Sequence, residues 1–316
     1  MSVDVAILGT GALAMLFGAH LNRAGVRVCL LGTWPDGLEA IRDRGIELVE
    51  GGSQSRHPVA VVDLASCRPE HVPGAPLVLV LVKAYATAAV APWAAGAAAA
   101  GGTVLTLQNG LGNAEVLKRA RARTAVGATT RGARVLGPGR VHDCGGGATV
   151  LARGDDDIAA VLAGAGFEIR LSDRIERDVW LKVAVNCAIN PLTALHGVPN
   201  GTLLEDPELR RHMIAAAREV AAVACARGVE LDADPAAKAL EVAARTTTNR
   251  SSMLQDVDRG ARTEIDALCG AVVRLGEDAA VATPVNGDLW QRIQELDGVG
   301  AGCPGSVASG ARRVEP

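Results

Sequence analysis

Aromatic side chains are scarce in this 316-residue chain: four tryptophans, two phenylalanines and one tyrosine. So few rings leave no stacking platform for single-stranded bases. There is no basic excess either, because 32 Lys and Arg against 35 Asp and Glu give a net charge of −3. That removes the electrostatic footprint of a nucleic-acid binder. No apolar run reaches the ~18 residues of a membrane span. The N-terminal Met1–Gly11 has no basic region ahead of its apolar residues, so it does not read as a secretory signal. The seven cysteines are scattered and form no C-x-x-C pair. This excludes a zinc ribbon or a redox dithiol and fits reduced thiols in a cytoplasm. The six histidines show no metal-ligand spacing, so no metal is expected. No Ser-His-Asp order or G-x-S-x-G elbow appears. Lysine is also rare: only Lys83, Lys118, Lys182 and Lys238 occur among the 32 basic residues.

What is present is a two-part pattern. Hydrophobic residues make up 49% of the chain, which excludes a disordered polymer. The first half alternates β-branched runs with Ala-rich helical stretches. Strands are predicted at Val3–Leu8, Val26–Leu31, Leu77–Val82, Thr103–Leu107 and Thr124–Thr130. Helices are predicted at Ala12–Ala24, Gly37–Arg44, Ala84–Ala99 and Gly112–Ala122. Such alternation specifies a parallel sheet covered on both faces. Turn signals crowd Arg134–Arg170, where short β segments are expected to complete the sheet. From about Ser172 helical periodicity takes over: Asp173–Asn190, Asp206–Arg227, Pro235–Asn249, Ser252–Asp258, Arg262–Glu277 and Pro284–Leu296. The expected fold is α/β, an N-terminal Rossmann-type doubly wound sheet with a C-terminal all-helical domain. The domains expected are residues 1–171 for a dinucleotide, residues 172–298 for substrate and catalysis, and a flexible tail over 299–316.

The first candidate site is Gly9-Thr10-Gly11-Ala12-Leu13-Ala14, a strand, a glycine turn and a helix start. Gly9 permits the tight turn, Gly11 lets a pyrophosphate approach the backbone, and Ala14 still allows close helix–strand packing. The helix start offers free N–H groups and partial positive charge to phosphates. The structural alternative is an ordinary Gly-rich turn. Which dinucleotide binds is less legible. Gly32-Thr33-Trp34 follows the second strand, with neither the acid that suits NAD nor the arginine that suits NADP.

The second candidate is Lys182, Asn186 and Asn190, at i, i+4 and i+8 in an otherwise apolar stretch. Four residues advance ~400°, so the three form one narrow stripe on a helix. A lysine in apolar surroundings loses pKa rather than stay charged and unpaired. It can then donate a proton near neutral pH. The asparagines offer donors and acceptors that suit a carboxylate and a hydroxyl. A buried salt bridge is the structural alternative. Further on, Asn249 and Ser252 stand three apart, and Glu264 is expected to open the next helix as a counter-charge for Lys182. Asn109 and Lys83 each follow a predicted strand, at the sheet edge where ligands of doubly wound folds lie.

With these motifs in this order, the sequence resembles the ketopantoate reductase (2-dehydropantoate 2-reductase) family from about Val3 to Leu296. The carriers include Gly9-Thr10-Gly11-Ala12, Val82-Lys83-Ala84, Leu107-Gln108-Asn109-Gly110, Lys182…Asn186…Asn190-Pro191, Pro199-Asn200-Gly201, Asn249…Ser252 and Thr263-Glu264. The resemblance implies that Lys182 is the general acid and that Glu264 holds it and the substrate in place. It implies that Asn186, Asn190, Asn200, Asn249 and Ser252 bind a 2-keto acid. Lys83, Asn109 and the glycine turn would bind the cofactor, with NADPH favoured and NAD as the alternative. It also implies a homodimer and a small-molecule partner, while the charge balance and the short apolar runs speak against nucleic-acid and membrane partners. Three positions depart from the family pattern: no arginine follows the second strand, Ala86 stands three beyond Lys83, and Ala14 replaces the third glycine. The missing arginine keeps open an NAD-linked D-2-hydroxy acid dehydrogenase acting on another branched or aromatic 2-keto acid. A non-catalytic dinucleotide sensor is the remaining alternative.

Overall fold

A computed structural model describes residues 2–120 and 123–300. The chain divides into two compact units. Of the described residues, the first comprises 2–120, 123–183 and 228–232, and the second 184–227 and 233–300.

The first unit begins β1 (Val5–Leu8), α1 (Ala12–Arg23), β2 (Val28–Gly32) and α2 (Pro35–Arg44). It continues β3 (Ile46–Glu50), β4 (Ser53–His57), β5 (Ala60–Asp63), β6 (Ala75–Val80), α3 (Thr87–Ala97) and β7 (Ala98–Thr106). It closes with α4 (Asn113–Arg119), β8 (Arg123–Gly137), β9 (Arg140–Ala152), α5 (Asp156–Gly164) and β10 (Ile169–Ser172). Strands β5-β2-β1-β6-β7-β8 lie side by side, every pair parallel. With the β3–β4 hairpin set aside as an insertion, this is the doubly wound order 3-2-1-4-5-6, whose direction reverses between β1 and β6.

The pleat explains why apolar residues fill these strands without a break. Val5, Ile7, Leu30, Leu77 and Leu79 join one buried cluster with α1, while Ala6, Leu8, Leu31, Val78 and Val80 join another with α3. Alternate side chains face opposite sides, and both sides are covered. Truncating one such leucine to alanine would cost about 2–5 kcal/mol.

The region after Arg134 differs from its expectation. In place of short segments, β8 and β9 are long strands of 15 and 13 residues paired antiparallel. The first residues of β8 pair with β7, and the rest pair with β9, so one strand serves two sheets. β3 and β10 then flank β9 in parallel. Helix α5 and strands β3–β5 had no counterpart in the predicted elements.

α6 (Ile175–His196) leads from the first unit into the second. The second unit then contains α7 (Thr202–Glu205), α8 (Pro207–Ala226), α9 (Pro235–Arg245), α10 (Ser252–Asp258), α11 (Cys269–Asp278) and α12 (Pro284–Gly300). Its described residues contain no strand. Asp206 and Asp234 cap α8 and α9 with their carboxylates, each followed by proline at the first helical position. α12 is capped from a distance: Glu219 of α8 accepts from the backbone N–H groups of Val285 and Asn286, both at 2.8 Å. α12 extends to Gly300, beyond the predicted end at Leu296, and the tail from residue 301 lies outside the described residues. No helix among the described residues is long and apolar enough to cross a membrane.

Candidate active site

In the first unit, the predicted cofactor residues follow the carboxyl ends of adjacent strands. β1, β6 and β7 are in register through Leu8, Val80 and Thr106. Gly9-Thr10-Gly11 come directly after β1, and Lys83 and Asn109 each stand three residues beyond the ends of β6 and β7. Gly9 has φ +128°, and a Cβ there would lie 3.1 Å from the Leu81 carbonyl oxygen, so only glycine fits. Gly11 caps α1, and a Cβ on it would meet nothing within 4 Å, leaving open approach to the backbone. The first turn of α1 carries neither a capping side chain nor an acidic residue. Its N–H groups and partial positive charge therefore remain available to an anion, as a pyrophosphate requires. Thr10 and Ala14 are buried, and Ala12 and Leu13 half-buried.

A polar network at this edge was missed from sequence. The Gln108 amide donates to the Val82 carbonyl at 2.9 Å and to Thr87 Oγ1 at 2.8 Å. Thr87 Oγ1 in turn lies 2.8 Å from Asn113 Oδ1, and Asn113 donates to the Asn109 carbonyl at 3.0 Å. These bonds fix the backbone on which Lys83 and Asn109 stand. Thr87, one residue beyond Ala86, supplies a polar group the sequence pattern placed one position earlier. The signal was the asparagine closing Gln108-Asn109-Gly110-Leu111-Gly112-Asn113.

Lys182, Asn186 and Asn190 all lie on α6, as the spacing predicts. Lys182 and Asn186 are half-buried and Asn190 is buried, so the helix is not enclosed at every position of the stripe. Pro191 continues the helix instead of ending it. Thr193 Oγ1 lies 2.9 Å from the Asn190 carbonyl and donates to Ser251 Oγ at 2.7 Å, tying α6 to the start of α10.

In the second unit, Asn200 donates its backbone N–H to the Asn249 carbonyl at 3.0 Å and its side-chain amide to Thr246 Oγ1 at 2.8 Å. Its Oδ1 is buried with no hydrogen-bond partner among the described residues. A buried acceptor without a partner suits an incoming hydroxyl donor. Asn249 and Ser252 are exposed, and the helix predicted to end at Asn249 stops earlier. α9 ends at Arg245, so Asn249 lies in a connection, while Ser252 is the first residue of α10. The neighbouring Ser251 is the buried one, and it caps α10 by accepting from Leu254 N–H at 3.1 Å. Glu264 is buried, but it does not open an α-helix. It precedes a single 3-10 turn, Ile265–Ala267, and α11 begins only at Cys269.

Among the described residues, one group of possible metal ligands lies within reach of one another: His20, Glu50 and Asp143. Two guanidinium groups already serve it. Arg23 contacts Glu50 at 2.7 Å and His20 Nδ1 at 2.9 Å, and Arg131 pairs with Asp143. The cluster therefore reads as a hydrogen-bonded clamp between α1 and the second sheet.

The doubly wound order, the uncapped glycine turn at β1 and the following all-helical unit define a dinucleotide-binding fold of the two-unit reductase kind. Comparison with known proteins narrows this class. The family described as ketopantoate reductase PanE/ApbA matches residues 5–156, and its C-terminal counterpart matches residues 174–297. The chain belongs to the ketopantoate reductase family. It is 41% identical to the 2-dehydropantoate 2-reductase of Halobacterium salinarum over 93% of this chain and 99% of that one. A PanE/ApbA family ketopantoate reductase from Ralstonia eutropha is similar in structure, with a TM-score of 0.87 and 32% identity over 95% of this chain and 100% of that one. A D-mandelate dehydrogenase solved with NADH and anilino(oxo)acetate shares the fold, with a TM-score of 0.86 at 23% identity over 95% of this chain and 99% of that one.

Proposed function

We propose that the protein is an oxidoreductase that reduces 2-dehydropantoate to (R)-pantoate with a reduced nicotinamide dinucleotide. Family membership across both units supports the reaction, and the Lys182–Asn186–Asn190 stripe on α6 is the observation that carries the site. When bound, the reduced nicotinamide would supply a hydride from its C4 to the keto carbon. Lys182 donates a proton to the ketone oxygen as it becomes a hydroxyl, so hydride and proton together give the alcohol. Glu264 holds the Lys182 ammonium and the substrate in place. Asn186, Asn190, Asn200, Asn249 and Ser252 bind the carboxylate and hydroxyl, with the buried, unpartnered Asn200 Oδ1 as an acceptor. Gly9 to Ala14 bind the pyrophosphate, and Lys83 and Asn109 the nicotinamide half.

NADPH is the cofactor the family resemblance favours. NADH is the second reading, and one observation favours it: Gly32, Thr33 and Trp34 at the end of β2 include no cation for a 2′-phosphate. We further place the protein in the cytoplasm, as a homodimer. The reaction is tested by following nicotinamide absorbance with 2-dehydropantoate and, separately, bulkier 2-keto acids, each with NADPH and NADH. Fastest oxidation with 2-dehydropantoate supports the proposal. Preference for a branched or aromatic 2-keto acid would make the protein a D-2-hydroxy acid dehydrogenase, and no turnover with any substrate would leave a dinucleotide sensor.

A further inference from the structure

The segment around Glu264 is held on both sides by one face of one helix. Immediately before Glu264, Thr263 donates its hydroxyl to Asp297 Oδ2 at 2.8 Å, and its backbone N–H lies 3.3 Å from both carboxylate oxygens. Two residues after Glu264, Asp266 Oδ1 accepts from Trp290 Nε1 at 2.9 Å and from Gln294 Nε2 at 3.0 Å. Trp290, Gln294 and Asp297 stand at i, i+4 and i+7 of α12, so they share a face.

The partners are themselves fixed. A Cβ on Gly270 would lie 2.8 Å from Trp290 Cε2, so the indole rests directly on the α11 backbone. The Arg274 guanidinium lies 5.4 Å from the centre of the same indole and donates to the Asp266 carbonyl at 2.7 Å. Arg262 donates to Asp266 Oδ2 at 3.0 Å. Burial raises the Asp266 carboxyl, but the bonds from Trp290, Arg262 and Gln294 outweigh it and hold the group below its ordinary value.

This explains the local chain path. Leu268 takes φ −100° and ψ −102°, which breaks the helix predicted over Arg262–Glu277. Released from an α-helix, Thr263 to Ala267 follow the bonds offered by α12. The arrangement is dense for a mere connection. Four side chains of α11, α12 and the segment itself converge on Asp266, and a fifth, Asp297, serves Thr263.

We propose that the Trp290–Gln294–Asp297 face of α12 is the positioning device for the Glu264 carboxylate, and thereby sets turnover. The inference rests on the reading of Glu264 as the group that holds Lys182 and substrate. Trp290, Gln294 and Asp297 touch neither cofactor nor substrate in this account. They act by fixing the backbone on both sides of Glu264, where a displacement of the order of 1 Å can cost about a hundredfold in rate.

The test is a double-mutant cycle on the full chain, using Trp290→Phe, Asp297→Ala, Asp297→Asn and Glu264→Gln. Trp290→Phe removes the donor and keeps an aromatic ring, and its thermal midpoint reads the packing lost with the smaller ring beside Gly270. Turnover, KM for the keto acid, cofactor Kd and thermal midpoint are measured for each. Trp290→Phe and Asp297→Ala should each lower kcat about tenfold or more, with cofactor Kd unchanged, and Asp297→Asn should recover part of the loss. In the Glu264→Gln background neither change should lower kcat further. Wild-type turnover in both single variants, beside a slow Glu264→Gln, would overturn the positioning role alone. An undiminished loss in the Glu264→Gln background would show a general structural effect and overturn it too. Wild-type turnover in Glu264→Gln would remove the reading of Glu264 and the proposal with it.

Discussion

Thr10 occupies the space that a side chain on Gly32 would need: a Cβ there would lie 2.6 Å from Thr10 Cγ2 and 2.9 Å from its Oγ1. The glycine turn after β1 is thus seated on the end of β2, an attachment reinforced by the Gly9 N–H donating to the Leu31 carbonyl at 2.8 Å. The turn that would bind pyrophosphate and the strand end that would meet the adenosine ribose are one rigid unit.

Gly32→Ala should therefore disturb cofactor binding although no ligand contact is removed. Overpacking of this kind costs about 1–3 kcal/mol. A lower thermal midpoint and weaker binding in a cofactor titration are expected. Thr10→Ala in the same chain should restore much of both, because only the Thr10 Cβ, 3.3 Å away, would remain. Unchanged binding in Gly32→Ala would show that the turn is not seated in this way.

In the proposed reading the end of β2 meets the adenosine ribose, so it is where NADPH and NADH would be distinguished. Thr33 is exposed and directly follows the last residue of β2. Thr33→Arg should strengthen NADPH binding relative to NADH. A hydrogen bond to a charged group contributes about 1.5–3 kcal/mol, so tenfold or more is expected. Competitive titration of the two cofactors reads the ratio, and an unchanged ratio would place the ribose elsewhere.

His20 gives the fold an acid-sensitive joint. It is 2% exposed, its Nε2 lies 3.2 Å from Asp143 Oδ2, and its Nδ1 faces the Arg23 guanidinium at 2.9 Å. That arrangement needs the neutral ring with its proton on Nε2. Burial first, and Arg23 second, lower its pKa from 6.5, against the pull of Glu50 and Asp143. The folded state thus prefers neutral His20, while the unfolded chain binds a proton near its ordinary value. Stability from this group is complete above 6.5 and is lost as pH falls through the lowered value. His57 shifts in the same direction, chiefly by burial, so a variant is needed to separate them. Between pH 7 and pH 5, roughly the histidine range, wild type should lose more thermal stability than His20→Gln. Parallel curves would contradict this.

Much of the doubly wound sheet was legible because its strands are buried on both faces, so Leu77–Val80 and Leu30–Leu31 read as unbroken apolar runs. β4 was not legible, since Ser-Gln-Ser-Arg-His is polar and mostly exposed, and its strand form comes from pairing with β3. The Gly51-Gly52 pair between them, both at positive φ, was the available hint. α6 outran its predicted end because Leu192, Thr193 and Ala194 are buried beyond Pro191, and tertiary burial outweighed proline's cost. In the candidate site, Lys182, Asn186 and Asn190 were readable because helical spacing alone places them on one stripe. Thr87, Asn113 and the α12 face were not, because their roles arise from partners 21 to 34 residues away.

In the proposed mechanism Lys182 delivers the proton in a nicotinamide-dependent ketone reduction. The most direct measurement is steady-state reduction of 2-dehydropantoate by Lys182→Ala, paired with cofactor titration of the same preparation. The account predicts a fall in kcat of about 10²–10⁴-fold with cofactor affinity unchanged. Near-normal turnover in Lys182→Ala would contradict it.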